Sequence, residues 1–149
     1  MNDMQNDFQN LTGLEYLRRM IAGSLRSPMA DTSNMQLIAV ADGTATFEAH
    51  PTEKFYNPQA RVHGGYTATL LDSAMGCAVQ TKMPPGVAFG TIELKINYVR
   101  KIDVQTGRLI CTGNVLHFGR AMSTAEGRVL DEAGKLYAHG SGTFLVYPK

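Results

Sequence analysis

The stretch that most constrains this chain is residues 62–80, VHGGYTATLLDSAMGCAVQ, in which Asp72 is the only charged side chain. Gly64 and Gly65 allow the backbone a close approach to a ligand and a tight turn into a helix. After them, Ala68, Leu70, Leu71, Ala74, Met75, Cys77, Ala78 and Val79 would point in every direction of a helix. A helix apolar all round is a buried one. A carboxylate inside it is costly unless it is paired, protonated or useful. At about 3.6 residues per turn, Gly65 and Asp72 share nearly one face. Ala68, Thr69, Met75 and Gly76 neighbour Asp72 at helical spacing, and the small Ala68 and Gly76 leave room beside the carboxylate. The helix start offers unpaired N–H groups and partial positive charge, suited to a developing oxyanion. An anion hole and a lone carboxylate on one helix describe an active site.

The rest of the composition narrows the class. A chain of 149 residues is one ordinary domain, and a net charge of +1 with 18% charged residues gives no field toward nucleic acid or a membrane surface. Cys77 and Cys111 have no metal or redox spacing and read as small core residues. No apolar run reaches the roughly 18 residues of a membrane span. Asp3, Asp7 and Glu15 stand where a signal peptide would carry its basic start and apolar core. No P-loop, dinucleotide fingerprint or metal cluster is present. The expectation is a cytoplasmic enzyme or binding domain that needs no metal or cofactor.

Residues 1–10 are polar and aperiodic and read as a flexible tail, leaving 11–149 as the single domain. Thr12 and Glu15 fit a capping box, and Leu14, Leu17, Ile21 and Leu25 continue at helical period. A helix of about three turns is expected to end near Ser27-Pro28. Gly13, in this helix, reads as a position where alanine should leave catalysis almost unchanged. Met35–Ala41 and Thr44–Ala49 flank Asp42-Gly43, a hairpin signal. An irregular connection with the turn dipeptide Asn57-Pro58 leads to the central helix, which Pro84-Pro85-Gly86 ends. Thr91, Glu93, Lys95 and Asn97 alternate with Ile92, Leu94, Ile96 and Tyr98 as a strand, and 107–117, 121–130 and 135–147 supply three more. One apolar helix and about six strands fit an α+β fold, an antiparallel sheet curled round the helix. Its strand edges would be paired with another copy, giving an obligate oligomer.

His63-Gly64-Gly65, with Leu71-Asp72 nine residues after the His and Asn57-Pro58 upstream, resembles the hotdog-fold acyl-CoA thioesterases of the phenylacetate-degradation type. The likeness runs from about Ala39 to the C-terminus. It implies a sheet wrapped round one long helix, dimers sharing a continuous sheet, and dimers that pair into homotetramers. It implies hydrolysis of an acyl-CoA, aryl-CoA among the possibilities, with CoA as part of the substrate and no separate cofactor. In the resembling proteins the helix acid, here Asp72, acts on the thioester as nucleophile or general base, and the Gly64 N–H polarises the carbonyl. Asn57 would orient water or that carbonyl, His63 would shape the start of the helix, and Thr91 would be the hydroxyl residue of the following strand. Gly76 stands where some relatives carry a Thr.

Gly65, Ala68, Met75 and Gly76 are the expected walls of the substrate site. Arg100-Lys101 at a strand end and His117 with Arg120 at a turn are candidates for the phosphates of CoA. Two alternatives share the fold. An enoyl-thioester hydratase should show D-x-N-P-x-H, but Phe55 and Ala60 replace its Asp and His. A non-catalytic acyl-CoA-binding protein has no reason to bury Asp72.

Overall fold

The computed structural model describes residues 2–25 and 27–147, so Met1 of the expected tail and residues 148–149 of the expected domain lie outside it. The signals around Asp42-Gly43 give the hairpin of β1 (Met35–Ala41) and β2 (Thr44–Ala49), in the residues predicted. Gly43 turns the chain at φ 76°, a left-handed conformation open to glycine. The remaining strands are β3 (Ala88–Tyr98), β4 (Leu109–Phe118), β5 (Met122–Asp131) and β6 (Leu136–Tyr147). They form one antiparallel sheet in the order β1-β2-β4-β5-β6-β3. The predicted central helix α4 (Gly64–Gln80) packs across it. This is the hotdog arrangement the resemblance implies.

The sheet is shaped to receive that helix. In-register neighbours Ala45, Gly113 and Gly127 make a row of small residues across β2, β4 and β5. A Cβ on Gly113 would collide with the backbone of Ala74 and Met75, and one on Gly127 would lie 3.0 Å from Leu71 Cδ2. Glycine in a strand often marks such a close backbone approach. Leu70, Leu71, Ala74, Met75, Ala78 and Val79 on the inner face of α4 are fully buried, together with Leu109, Cys111, Ala125, Val129 and Phe144 of the sheet. Each large apolar side chain so buried contributes about 1.5–3 kcal/mol. The outer face is different. Gly65, Ala68, Thr69, Asp72, Ser73 and Gly76 keep partial or full exposure, so the helix is buried on the sheet side only.

The edge strand β3 is bare on its free side, with Ile92 and Tyr98 each 56% exposed. Its alternation is also broken. Thr91 pairs with Phe144 but Glu93 with Thr143, so Ile92 is an extra residue, a bulge. The sequence pattern set Thr91 on the face of Glu93, Lys95 and Asn97. The bulge instead lets Thr91 share the helix-facing side with Ile96 and Tyr98, which touch the core and α4.

The N-terminal region corrects the sequence reading. Residues 2–10, expected as an unstructured tail, form α1 (Asn2–Asn10). Met4 and Phe8, four apart on one helix face, pack on the core, and Phe8 meets Tyr16 edge-on at 6.3 Å. Arg19 pairs with Asp7 at 2.7 Å and Gly86 N–H donates to the Phe8 carbonyl. The capping box is present: Thr12 N–H donates to Glu15 Oε2 at 2.9 Å and caps α2 (Gly13–Ile21). That helix stops earlier than expected, because Gly23 is left-handed at φ 80°. Pro28 then begins a helix, α3 (Pro28–Thr32), with Ser27 as its cap. Proline suits a first helical position as well as a stop. Among the described residues no helix is long and apolar enough to cross a membrane.

For the fold, alanine at Gly13 is not a neutral change. Its N–H donates to the Met83 carbonyl, and a Cβ there would land on the carbonyl of Gln80, the last residue of α4. Gly13→Ala should lose about 1–3 kcal/mol of stability, the scale of overpacking a tight contact, read as a lower urea midpoint. An unchanged midpoint would show that α2 and α4 are not docked there.

Candidate active site

The site starts at the cap of α4. His63 N–H donates to the Phe55 carbonyl at 2.7 Å, and His63 Nδ1 accepts the Gly65 N–H at 2.8 Å. An accepting Nδ1 carries no proton, so that nitrogen is occupied and cannot take one from substrate. Tyr66 N–H turns back to the His63 carbonyl at 3.0 Å. With Gly65 and Tyr66 taken, the Gly64 N–H is left without an intrachain partner among the described residues. Free amides and partial positive charge at a helix start are an anion site.

Gly64 lines a cleft of about 300 Å³ with Asn57, Arg61, Thr67, Tyr98, Arg100 and Lys101. Asn57 Oδ1 accepts from Gln59 N–H at 2.9 Å and Arg61 N–H at 3.3 Å. The oxygen is therefore spent on the turn, and only the side-chain NH₂ can face a ligand. Arg100 donates to the Leu136 carbonyl at 2.6 Å, while Lys101 is exposed. Both also line an adjoining cleft with Lys135 and Tyr137.

Two turns further along α4, Asp72 Oδ1 accepts a hydrogen bond from Thr91 Oγ1 at 2.8 Å. Thr69, a neighbour of Asp72 at helical spacing, does not hold this carboxylate: its Oγ1 donates to the Gly65 carbonyl. Asp72 is half-buried on the open face of α4, with Ala68 and Gly76 on the same face. A Cβ on Gly76 would rest 3.7 Å from the rings of Phe89 and Phe144. Cys77 is only partly covered, yet desolvation, helped by the charge of Asp72, pushes its thiol up to about 12. Burial raises Cys111 as well. Neither is a thiolate nucleophile at neutral pH.

Other expected site residues lie elsewhere. Met75 does not wall the open face: it is fully buried, with its side chain against Gly127. Three residues on from Asp72 a helix has turned back by about 60° toward the sheet. His117 and Arg120 are exposed at the β4–β5 turn. That turn lies beside the C-terminal end of α4, where Lys82 Nζ sits 5.9 Å from the Phe118 ring centroid. Arg100 and Lys101 flank its N-terminal end. At about 1.5 Å per residue the helix separates them by some 25 Å, so the four do not form one phosphate site within a chain.

Sequence reasoning gave no site role to Tyr98, which reaches Gly64; Tyr66, which it does associate with pocket shape, meets the Phe55 ring at 4.5 Å. The Tyr66 hydroxyl is buried without a partner, and burial pushes it up to about 12. Phe55 and Ala60, where a hydratase would place its acid and its His, are a packed ring and a turn residue at φ 55°. A larger cavity of about 550 Å³ lies beside α2, α3, β1 and β2, lined by Leu25, Met35, Phe47 and His50 among others. None of the predicted site residues lines it. Among the described residues no three His, Cys, Asp or Glu side chains cluster as metal ligands.

Comparison with known proteins fits this geometry. The profile of the thioesterase superfamily matches residues 59–138, which include Gly64, Asp72 and Thr91. The 1,4-dihydroxy-2-naphthoyl-CoA hydrolase of Listeria monocytogenes is 27% identical over 122 residues, 81% of this chain and 97% of that protein. Acyl-coenzyme A thioesterase 13 of Homo sapiens is 29% identical over 110 residues, 72% of this chain and 76% of that one. Among solved structures, a putative thioesterase from Ralstonia eutropha, related to phenylacetic acid degradation, superposes with TM-score 0.79 at 26% identity. It covers 87% of this chain and 98% of its own. Zebra fish thioesterase superfamily member 2 gives TM-score 0.74 at 27% identity, covering 91% and 99%. On the match over more than half its length, and with a fold shared with these structures, this chain belongs to the thioesterase superfamily.

Proposed function

We propose that this protein is a cytoplasmic acyl-CoA thioesterase that hydrolyses an acyl- or aryl-CoA to the free acid and CoA. The observation that carries the reading is Asp72, held by Thr91 of β3 and standing on the same helix as the free Gly64 N–H. Thr91 holds Oδ1, which leaves Oδ2 to take a proton from water. The hydroxide attacks the thioester carbon, and the oxyanion is met by the Gly64 N–H and by the NH₂ of Asn57. Collapse breaks the C–S bond, and the proton passes to the departing thiolate. Gly65, Ala68 and Gly76 leave space along the open helix face. Arg100 and Lys101 attract phosphate from the cleft beside Gly64.

Distance supports a second copy. Eight residues separate Gly64 from Asp72, about 12 Å along the helix. The attacked carbon must lie about 3–3.5 Å from the water that Asp72 holds, with its oxygen about 3 Å from the donor. Even a side chain that leans toward the helix start does not close the gap. In this reading one chain supplies Gly64 and another Asp72. The open face of α4 and the apolar, unpaired edge of β3 support such a dimer, and two dimers can join as a homotetramer. The same arrangement would bring His117 and Arg120 of one copy toward Arg100 and Lys101 of another.

Thiol release from a panel of short-chain, long-chain and aryl-CoA thioesters tests the activity. Asp72→Asn should lower kcat by about 10²-fold or more, and Thr91→Val by about tenfold, the scale of a hydrogen bond to a charged group. Folded variants with wild-type turnover would remove Asp72 from the chemistry.

Mixing tests the shared site. Asp72→Asn and Gly64→Val are each expected to be inactive. Subunits exchanged between them should recover about a quarter of wild-type activity, since half the dimers are mixed and each has one intact site. No recovery after demonstrated exchange, or an active monomer by light scattering, would refute it.

A further inference from the structure

Two adjacent glycines at the start of α4 create a conflict. Close approach to a carbonyl requires them, but glycine has the most backbone freedom to lose on ordering. An oxyanion donor is effective only when it is already held where the charge will develop. The structure resolves this from outside the helix. Tyr98, near the end of β3, donates its hydroxyl to the Gly64 carbonyl at 3.1 Å. Its ring lies on Gly64 where a side chain would project, with Cζ 3.2 Å from an ideal Cβ. On the same peptide unit, the one that joins Gly64 to Gly65, His63 Nδ1 holds the Gly65 N–H.

We infer that Tyr98 is a positioning residue for the oxyanion donor, fixing Gly64 so that its N–H stays aimed at the thioester; this rests on the thioesterase reading above. Packing does not explain the residue. Tyr98 is 56% exposed, so its ring adds little to the core. Satisfying the carbonyl does not explain it either, because a first-turn carbonyl already has an intrahelical partner. The hydroxyl is a second bond to the same oxygen, and it ties the helix start to a strand. Side chains an odd number of residues apart on a regular strand point to opposite faces. Thr91 and Tyr98 are seven apart, yet they reach Asp72 and Gly64 on the same helix. The bulge at Ile92 makes both contacts possible.

Tyr98→Phe keeps the ring and removes only the tether. It should lower kcat about threefold to tenfold, the scale of one hydrogen bond, with product-CoA inhibition and melting temperature unchanged. Tyr98→Leu, which also removes the ring, should lower kcat further. Gly64→Ala should cost less in the Tyr98→Leu background than alone, because the ring that its Cβ would strike is gone. Wild-type kcat in Tyr98→Phe, a loss confined to KM, or additive penalties for Gly64→Ala and Tyr98→Leu would overturn the inference. If the wild type hydrolyses no acyl-CoA, the thioesterase reading itself fails. If the wild type is active, Asp72→Asn is not and Tyr98→Phe is unaffected, only the role of Tyr98 fails.

Discussion

The rest of the structure depends on how closely α4 lies on the sheet. At Gly113 the helix backbone passes where a side chain would be, and Ala45 and Gly127 keep the flanking strands equally low. Contact at that distance commits one face of the helix to the sheet and excludes water from Leu70, Leu71, Ala74, Met75, Ala78 and Val79. Dispersion and area burial both reward this fit. The same contact sets the direction of the opposite face, which carries Gly65, Ala68, Asp72 and Gly76 outward. The proposed chemistry lies on the side the sheet does not cover.

Much of this was legible in the sequence, for physical reasons that differ by element. Asp42-Gly43 specifies a hairpin because its turn needs a left-handed residue, and that requirement is local. The capping box at Thr12 is likewise a matter of three residues. Central-helix polarity was harder to read. Nearly every residue of α4 is small or apolar, so periodicity could not tell the face that packs on the sheet from the face left open. Met75 was misplaced for that reason. Phe8 and Met4 carried a usable signal at i, i+4 spacing, masked by the polar residues around them. Pro28 is ambiguous by chemistry, because a ring that ends one helix can begin another.

The bulge in β3 had no sequence signal. Thr91 to Tyr98 reads as unbroken alternation, and only pairing with β6 reveals that Ile92 has no partner of its own. Yet this extra residue reverses the parity of the strand between Thr91 and Tyr98. Before it, Thr91 reaches Asp72; after it, Tyr98 reaches Gly64. A regular strand could deliver one of these side chains to the helix but not both. Bulges recur beside active sites because they re-aim side chains in this way.

The two contacts also bear on why catalysis and assembly should be one event in this protein. Each chain holds an acid at one point of α4 and a free amide about 12 Å away, each secured by the same edge strand. In the proposed mechanism neither half completes the other within the chain. The strand that secures them is also the one whose outer edge is unpaired and whose Ile92, Leu94 and Tyr98 remain exposed. An apolar edge left bare favours association, and here association would seat the same residues that hold Asp72 and Gly64. A change that loosens β3 would therefore act on the carboxylate, the proposed oxyanion donor and the proposed subunit contact together. Effects of substitutions along β3 should be coupled rather than additive.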